Sequence, residues 1–140
     1  MITSNVIQRT IHIGFEGQIA TGFFIDIDQR QYLVTAKHVV TNIKMDDVIS
    51  IFHNNQWCET SVKLVGHAPG EADISLLALT YRIAGEDLTL TADASGLIVG
   101  QDVFFLGFPF GLFGEMGALN NASSNSKCNR RLIGMVGKMQ

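Results

Sequence analysis

TGFFIDIDQRQYLVTAKHVV, residues 21–40, is the stretch on which the reading of the chain turns. Residues 18–27 (QIATGFFIDI) are β-branched and aromatic, the composition of a strand, and Gly22 within them marks a bulge or a close backbone contact. Asp28-Gln29-Arg30 makes a compact turn, and Gln31–Thr35 (QYLVT) returns as the second arm of a tight antiparallel hairpin. One helical turn is expected at Ala36–Thr41, straight after that strand. His38 therefore stands one turn beyond a buried strand, with apolar runs on both sides, Leu33-Val34 before it and Val39-Val40 after it. A general base needs fixed orientation, partial exposure and a pKa near neutrality, and this position offers the first two. An ordinary turn histidine fits the same position.

On the N-terminal side, residues 6–13 (VIQRTIHI) alternate bulky and polar side chains up to Gly14, which breaks the run. Asp47–His53 (DVISIFH) alternates again, with Val48, Ser50 and Phe52 on one face and Ile49 and Ile51 on the other. Trp57–Gly66 reads as a bent strand, Ile74–Leu79 (ISLLAL) as a short buried one, and Asp102–Gly107 (DVFFLG) as the last clear one. Short strands at intervals of about 8–15 residues, without a long helix, predict an all-β barrel or sandwich. Asp73 heads the apolar ISLLAL run, where a carboxylate is expensive unless it has a partner. An ionised aspartate that accepts the Nδ1–H of a histidine fixes its tautomer and stabilises the imidazolium formed in proton transfer. A turn aspartate capping the Pro69-Gly70 loop is the alternative.

Composition narrows the classes. The 140 residues are 46% hydrophobic and carry a formal net charge of -3, which excludes a disordered chain. No run of about 18 apolar residues is present, and the N-terminus lacks the basic and apolar regions of a secretory signal. A cytoplasmic protein with no membrane partner is expected, with Cys58 and Cys128 as reduced thiols. The two cysteines have no metal-site spacing, and His12, His53 and His67 form no i, i+2 or i, i+4 pair, so no zinc site is expected. Glycines 107, 111, 114 and 117 match neither a Walker A loop nor a dinucleotide fingerprint. Residues 1–126 hold 6 Lys/Arg against all 13 Asp/Glu, whereas the last 14 residues hold four basic residues and no acid. That basic tail lacks aromatic interleaving, so no nucleic-acid partner is expected, and its Asn/Ser-rich sequence reads as poorly ordered.

Four segments together resemble a known family. TAKHVV (35–40) resembles the T-A-x-H-V/C motif of trypsin-like serine peptidases, and ADISLLAL (72–79) resembles their aspartate motif. The order is theirs as well, histidine before aspartate. TGFFID (21–26) resembles their G-x-G-F/S-x-I hairpin, with Thr21-Gly22 keeping part of the pattern. GQDVFFLGFPFGL (100–112) resembles the segment that opens the second barrel in bacterial, HtrA-like members. The resemblance implies an antiparallel Greek-key β-barrel, the N-terminal barrel of a chymotrypsin-type double barrel, with the second barrel missing or incomplete. Residues 1–114 are then that barrel plus the opening strand of the second, and residues 115–140 a poorly ordered, atypical tail. It also implies an endopeptidase that hydrolyses peptide bonds through an acyl-enzyme. His38 is its general base, Asp73 the orienting partner and a protein or peptide its substrate, and neither a metal nor an organic cofactor is implied.

The departure from the family lies at the nucleophile. The chain contains no G-x-S-G-G motif. Ser95-Gly96 lacks the second glycine and precedes the Gly107-Phe108-Pro109 segment. Ser123, Ser124, Ser126 and Cys128 lack the glycines that make a sharp nucleophile turn and its oxyanion hole. The chain is therefore expected to be inactive by itself. The alternatives are a non-catalytic binding barrel and a truncated or frame-shifted peptidase fragment. Without a second barrel to cover them, Phe104, Phe105, Phe108, Phe110 and Phe113 are expected to drive self-association.

Overall fold

A computed structural model describes residues 4–53, 55–85, 95–108, 113–115 and 132–139, with Phe105 and the last two segments as backbone. A one-and-a-half-turn helix, α1 (Ser4–Arg9), leads into β1 (Thr10–Phe15) and β2 (Gln18–Ile27). These are followed by β3 (Arg30–Thr35), β4 (Val48–His53), β5 (Gln56–His67) and β6 (Ser75–Leu79). The six strands close a barrel in the order β1-β2-β3-β6-β5-β4, every neighbouring pair antiparallel. Two three-stranded meanders thus join along both seams, β3 with β6 and β1 with β4, and the barrel has no free edge to protect. This is the all-β barrel expected, and the alternative of a sandwich falls away.

Alternation along each strand fills the interior. Ile11, Ile13 and Phe15 of β1, Phe24 of β2, Leu33 of β3, Ile49 and Ile51 of β4, Val62 of β5 and Leu77 of β6 are all buried. Fully burying each such side chain contributes about 1.5–3 kcal/mol. Gly22 shares the inward phase of Phe24, and a Cβ there would lie 2.7 Å from Leu33 Cδ1. Its pairings with Ile11 and Thr35 continue the ladder without a bulge, so close packing is what requires glycine. The β2–β3 hairpin turns on Asp28 (φ 49°) and Gln29 (φ 65°), the left-handed pair of a two-residue turn whose twist suits the flanking strands. The bend foreseen in β5 is a register shift against β6 between Leu64 and Gly66.

The N-terminal reading needs correction. Residues 6–9 belong to α1, and the Thr10 hydroxyl donates to the Val6 carbonyl at 2.8 Å. Arg9 is fully buried with its guanidinium against Asp26 of β2, so a charge occupies the inside of the structure at a position that alternation reads as surface. Gly14 does not end the strand either: β1 runs to Phe15, and the turn falls at Glu16 and Gly17, both with positive φ.

Arg9 and Asp26 are the centre of a polar plug at one end of the barrel. Asp26 also accepts from Arg82 at 2.6 Å, and Arg82 donates on to the Gln29 carbonyl at 3.2 Å. The buried Gln31 side chain accepts from the amides of Ile83 and Ala84, at 2.7 and 2.9 Å, and donates to the Ala84 carbonyl. Arg9 reaches the Gly85 carbonyl at 3.2 Å. The chain leaving β6 is therefore fastened across the barrel end by satisfied polar groups, as burial of charge requires.

Outside the barrel, β7 (Val103–Gly107), β8 (Phe113–Glu115) and β9 (Leu132–Met139) form a sheet in the order β7-β9-β8. Residues 132–139, read from the sequence as part of a poorly ordered tail, are thus a strand. Its partners β7 and β8 lie 17 or more residues back in the chain, which a local reading of the tail does not connect. Residues 116–131 lie outside the described residues. The start of this sheet docks on the barrel: the Phe108 amide donates to Thr21 Oγ1 at 2.7 Å, and a Cβ on Gly107 would stand 3.0 Å from the same oxygen. Phe108 is buried and stacks on His12 at 4.8 Å between ring centres, so it is engaged within the chain, whereas Phe104 is 41% exposed. Phe110 and the side chains of Phe105 and Phe113 lie outside the described residues. Among the described residues, no helix is long and apolar enough to cross a membrane.

Candidate functional site

The segment after β3 is where a buried strand gives way to a polar mouth. Ala36–Ile43 folds into successive tight turns, with Val39 N–H donating to the Ala36 carbonyl (3.3 Å), Val40 to Lys37 (3.2 Å) and Ile43 to Val40 (3.1 Å). These turns take the place of the helical turn expected at Ala36–Thr41. Val39, Val40 and Ile43 are buried in the barrel core and hold the turn down from one side. His38, which falls between them in phase, is left outside with 68% of its side chain exposed.

Asp73 arrives from the opposite side of the β3–β6 seam. The loop 68–74 is closed at its base by the Ala68 amide donating to the Ile74 carbonyl at 2.8 Å, and Gly70 supplies the left-handed residue (φ 64°) in its turn. Because β3 and β6 pair antiparallel with Thr35 opposite Ser75, the end of β3 and the start of β6 lie side by side. That register brings His38 and Asp73 together across 35 residues of chain. Asp73 Oδ1 accepts the His38 backbone N–H at 2.8 Å, and Oδ2 lies 2.6 Å from His38 Nδ1.

The two contacts determine each other's chemistry. An ionised carboxylate only accepts, so the Asp73 contact assigns the proton of the neutral ring to Nδ1 and leaves Nε2 with a free lone pair. The backbone N–H of His38, followed by its side chain, holds the Asp73 carboxyl below the usual aspartate range. A carboxylate, an imidazole in a fixed tautomer and an exposed ring edge can accept a proton from a group arriving at Nε2 and pass it on. The position of Asp73 is thus that of a partner to His38 rather than only a cap of the Pro69-Gly70 turn.

The other titratable and nucleophilic residues singled out in the sequence lie elsewhere. His12 is buried beside Phe108 and Trp57, and burial pushes its pKa down. His53 ends β4, and His67 ends β5 with Nδ1 2.6 Å from the buried Ser75 hydroxyl. Cys58 is a half-buried free thiol on β5. Ser95 stands at the surface, while Ser123, Ser124, Ser126 and Cys128 lie outside the described residues. A groove of about 480 Å³, lined by Arg30, Tyr32, Lys63, Tyr81 and Arg82, opens at the far ends of β3 and β6, away from His38. The reading of the sequence missed the Arg9–Asp26–Arg82 plug. The signal present was Asp26, which falls on the inward phase of β2 with Gly22 and Phe24.

A closed six-stranded antiparallel barrel with a histidine and an aspartate paired at one mouth is consistent with a chymotrypsin-type barrel. The profile of the trypsin-like peptidase domain matches residues 20–135, and the chain belongs to that family. The match takes in both the hairpin and the segments that carry His38 and Asp73, and it runs on into β9. No curated protein matches the chain.

Proposed function

We propose that the chain is the base-bearing part of a trypsin-like serine endopeptidase, with His38 as general base and Asp73 as its orienting partner. The 2.6 Å contact between His38 Nδ1 and Asp73 Oδ2 is the observation that supports this reading. In the proposed reaction a nucleophilic hydroxyl bonds to the peptide carbonyl carbon as its proton passes to Nε2 of His38. The same proton then goes to the departing amine, and water repeats the sequence on the acyl intermediate. Asp73 stays ionised and stabilises the imidazolium formed in between.

Serine and oxyanion hole are the parts that this chain does not supply by any recognisable motif, since it has no G-x-S-G-G. The 140-residue chain by itself accordingly hydrolyses no peptide bond. The glycine-rich segment around Gly107-Phe108-Pro109 favours a bacterial, HtrA-like relationship within the family. A fluorophosphonate probe, which labels an activated serine, tests the reading. No labelling is expected under conditions in which a trypsin-like control labels fully, and labelling of any serine that disappears in His38→Ala would overturn the inactivity.

A further inference from the structure

The pairing of His38 with Asp73 joins two surface segments that no strand hydrogen bond holds at that point. His38 and Asp73 are 68% and 50% exposed, so solvent competes for every bond between them. Something has to fix the 68–74 loop against the turn after β3, and the side chain next to His38 is placed to do so. Lys37 is half-buried, and its ammonium donates to the Gly70 carbonyl at 3.0 Å and to the Ala68 carbonyl at 3.3 Å.

We infer that Lys37 is a positioning residue that clamps the Asp73-bearing loop to the turn carrying His38; the inference rests on the proposed roles of that pair. Both acceptors are backbone carbonyls, so the bonds specify where the loop lies and not which side chains it carries. One acceptor, Gly70, is in the left-handed conformation, and the other, Ala68, is the residue whose amide closes the loop onto Ile74. The ammonium therefore bridges the base and the turn of the loop, five and three residues before Asp73. The other end of Lys37 is fixed as well: its carbonyl accepts from the Val40 amide at 3.2 Å and from the Thr41 hydroxyl at 2.8 Å. A second tie flanks the loop, the 2.6 Å contact between His67 and Ser75, so Lys37 secures the side of the loop that faces His38. Charge-assisted bonds from an ammonium to carbonyls are stronger than neutral ones, which suits a clamp at a partly wet site.

Hydrogen exchange at the His38 amide reads this clamp directly, because that N–H donates to Asp73 Oδ1. The experiment compares wild type, Lys37→Met, Lys37→Arg and Asp73→Ala by NMR on the full chain. The measured quantity is the ratio of the His38 rate to its wild-type value, with the amide of Leu33 in the core followed alongside to show any global loss of stability. Lys37→Met is expected to raise the ratio about tenfold, the weight of one charge-assisted hydrogen bond, toward the Asp73→Ala value. Lys37→Arg, which keeps a cationic donor, is expected to stay within about twofold of wild type. Loss of the charge alone acts in the opposite sense: a cation draws hydroxide to nearby amides, so its removal slows base-catalysed exchange. A Lys37→Met ratio that is unchanged or lower, while Asp73→Ala raises it, overturns the clamp. Should Lys37→Met not fold, Lys37→Gln is judged by the same ratio against the same two limits. No substrate or nucleophile enters the measurement, so it reports only the placement of the loop, and its failure is distinct from a failure of the proposed inactivity, which the fluorophosphonate experiment reads.

Discussion

Acidification should weaken this protein through a residue that has no part in the candidate site. His12 is 5% exposed, stacks on Phe108, lies 5.0 Å from the Trp57 ring, and has a buried Nε2 with no hydrogen-bond partner among the described residues. Burial holds its pKa below the ordinary imidazole value of 6.5. The unfolded chain therefore takes up a proton at His12 more readily than the folded one. With the folded pKa depressed, His12 is neutral in both states above about pH 6.5 and contributes no pH dependence there. As the pH falls below that value, stability is lost until the folded state also protonates. One unit below, at about pH 5.5, the loss attributable to His12 is at most about 1.4 kcal/mol. The faces of Phe108 and Trp57 offset part of it by cation–π attraction. Urea denaturation at about pH 7.5 and pH 5.5, for wild type and His12→Phe, isolates the effect, since the other titrating groups are common to both. Wild type should lose up to about 1.4 kcal/mol relative to the variant over that interval. If the two fall in parallel, His12 is not held neutral by burial and the account of the junction between the barrel and β7 is wrong.

Three further outcomes follow from the geometry. Gly22→Ala places a methyl 2.7 Å from Leu33 in a filled core and should cost about 1–3 kcal/mol in chemical denaturation; a neutral effect would mean that the core yields there. Asp26→Ala leaves the fully buried Arg9 without its carboxylate and should cost about 3–5 kcal/mol, whereas Arg9→Met combined with Asp26→Leu should recover most of the loss. A double variant no better than the single would refute the charge-burial argument. The depressed pKa of Asp73 gives a contribution that is complete above the ordinary aspartate value and is lost only as the pH falls through and below it. Asp73→Asn should therefore flatten the acid limb of the stability profile below about pH 4. A difference in slope confined to higher pH would contradict that assignment.

Much of the barrel could be read locally. The β2–β3 hairpin, the β4 alternation of Ile49 and Ile51, and the apolar β6 run depend on periodicity and turn chemistry, which act over a few residues. His38 and Asp73 stood out for the same reason, each at the end of an apolar strand. Residues whose environment comes from distant chain were misread or passed over. Arg9 looked like surface because its partner Asp26 is 17 residues away, and no neighbour along the chain points to Lys37, whose acceptors are backbone carbonyls of another loop. Residues 132–139 read as part of a poorly ordered tail because the strands that pair with them, β7 and β8, are distant along the chain.

The positions of β2 to β7, the alternation along them, the family motifs and the want of a G-x-S-G-G nucleophile were thus set by the sequence alone, because side-chain alternation and turn residues are properties of neighbours along the chain. Whether the strands closed as a barrel, and whether His38 met Asp73, was decided only in three dimensions. The pairing of Thr35 with Ser75 fixes both at once: one residue of slip in β6 would turn Leu77 outward while Leu33 stayed inside, and would shift the two mouth segments apart. The burial of the inward faces holds that register, and with it the 2.6 Å contact between imidazole and carboxylate.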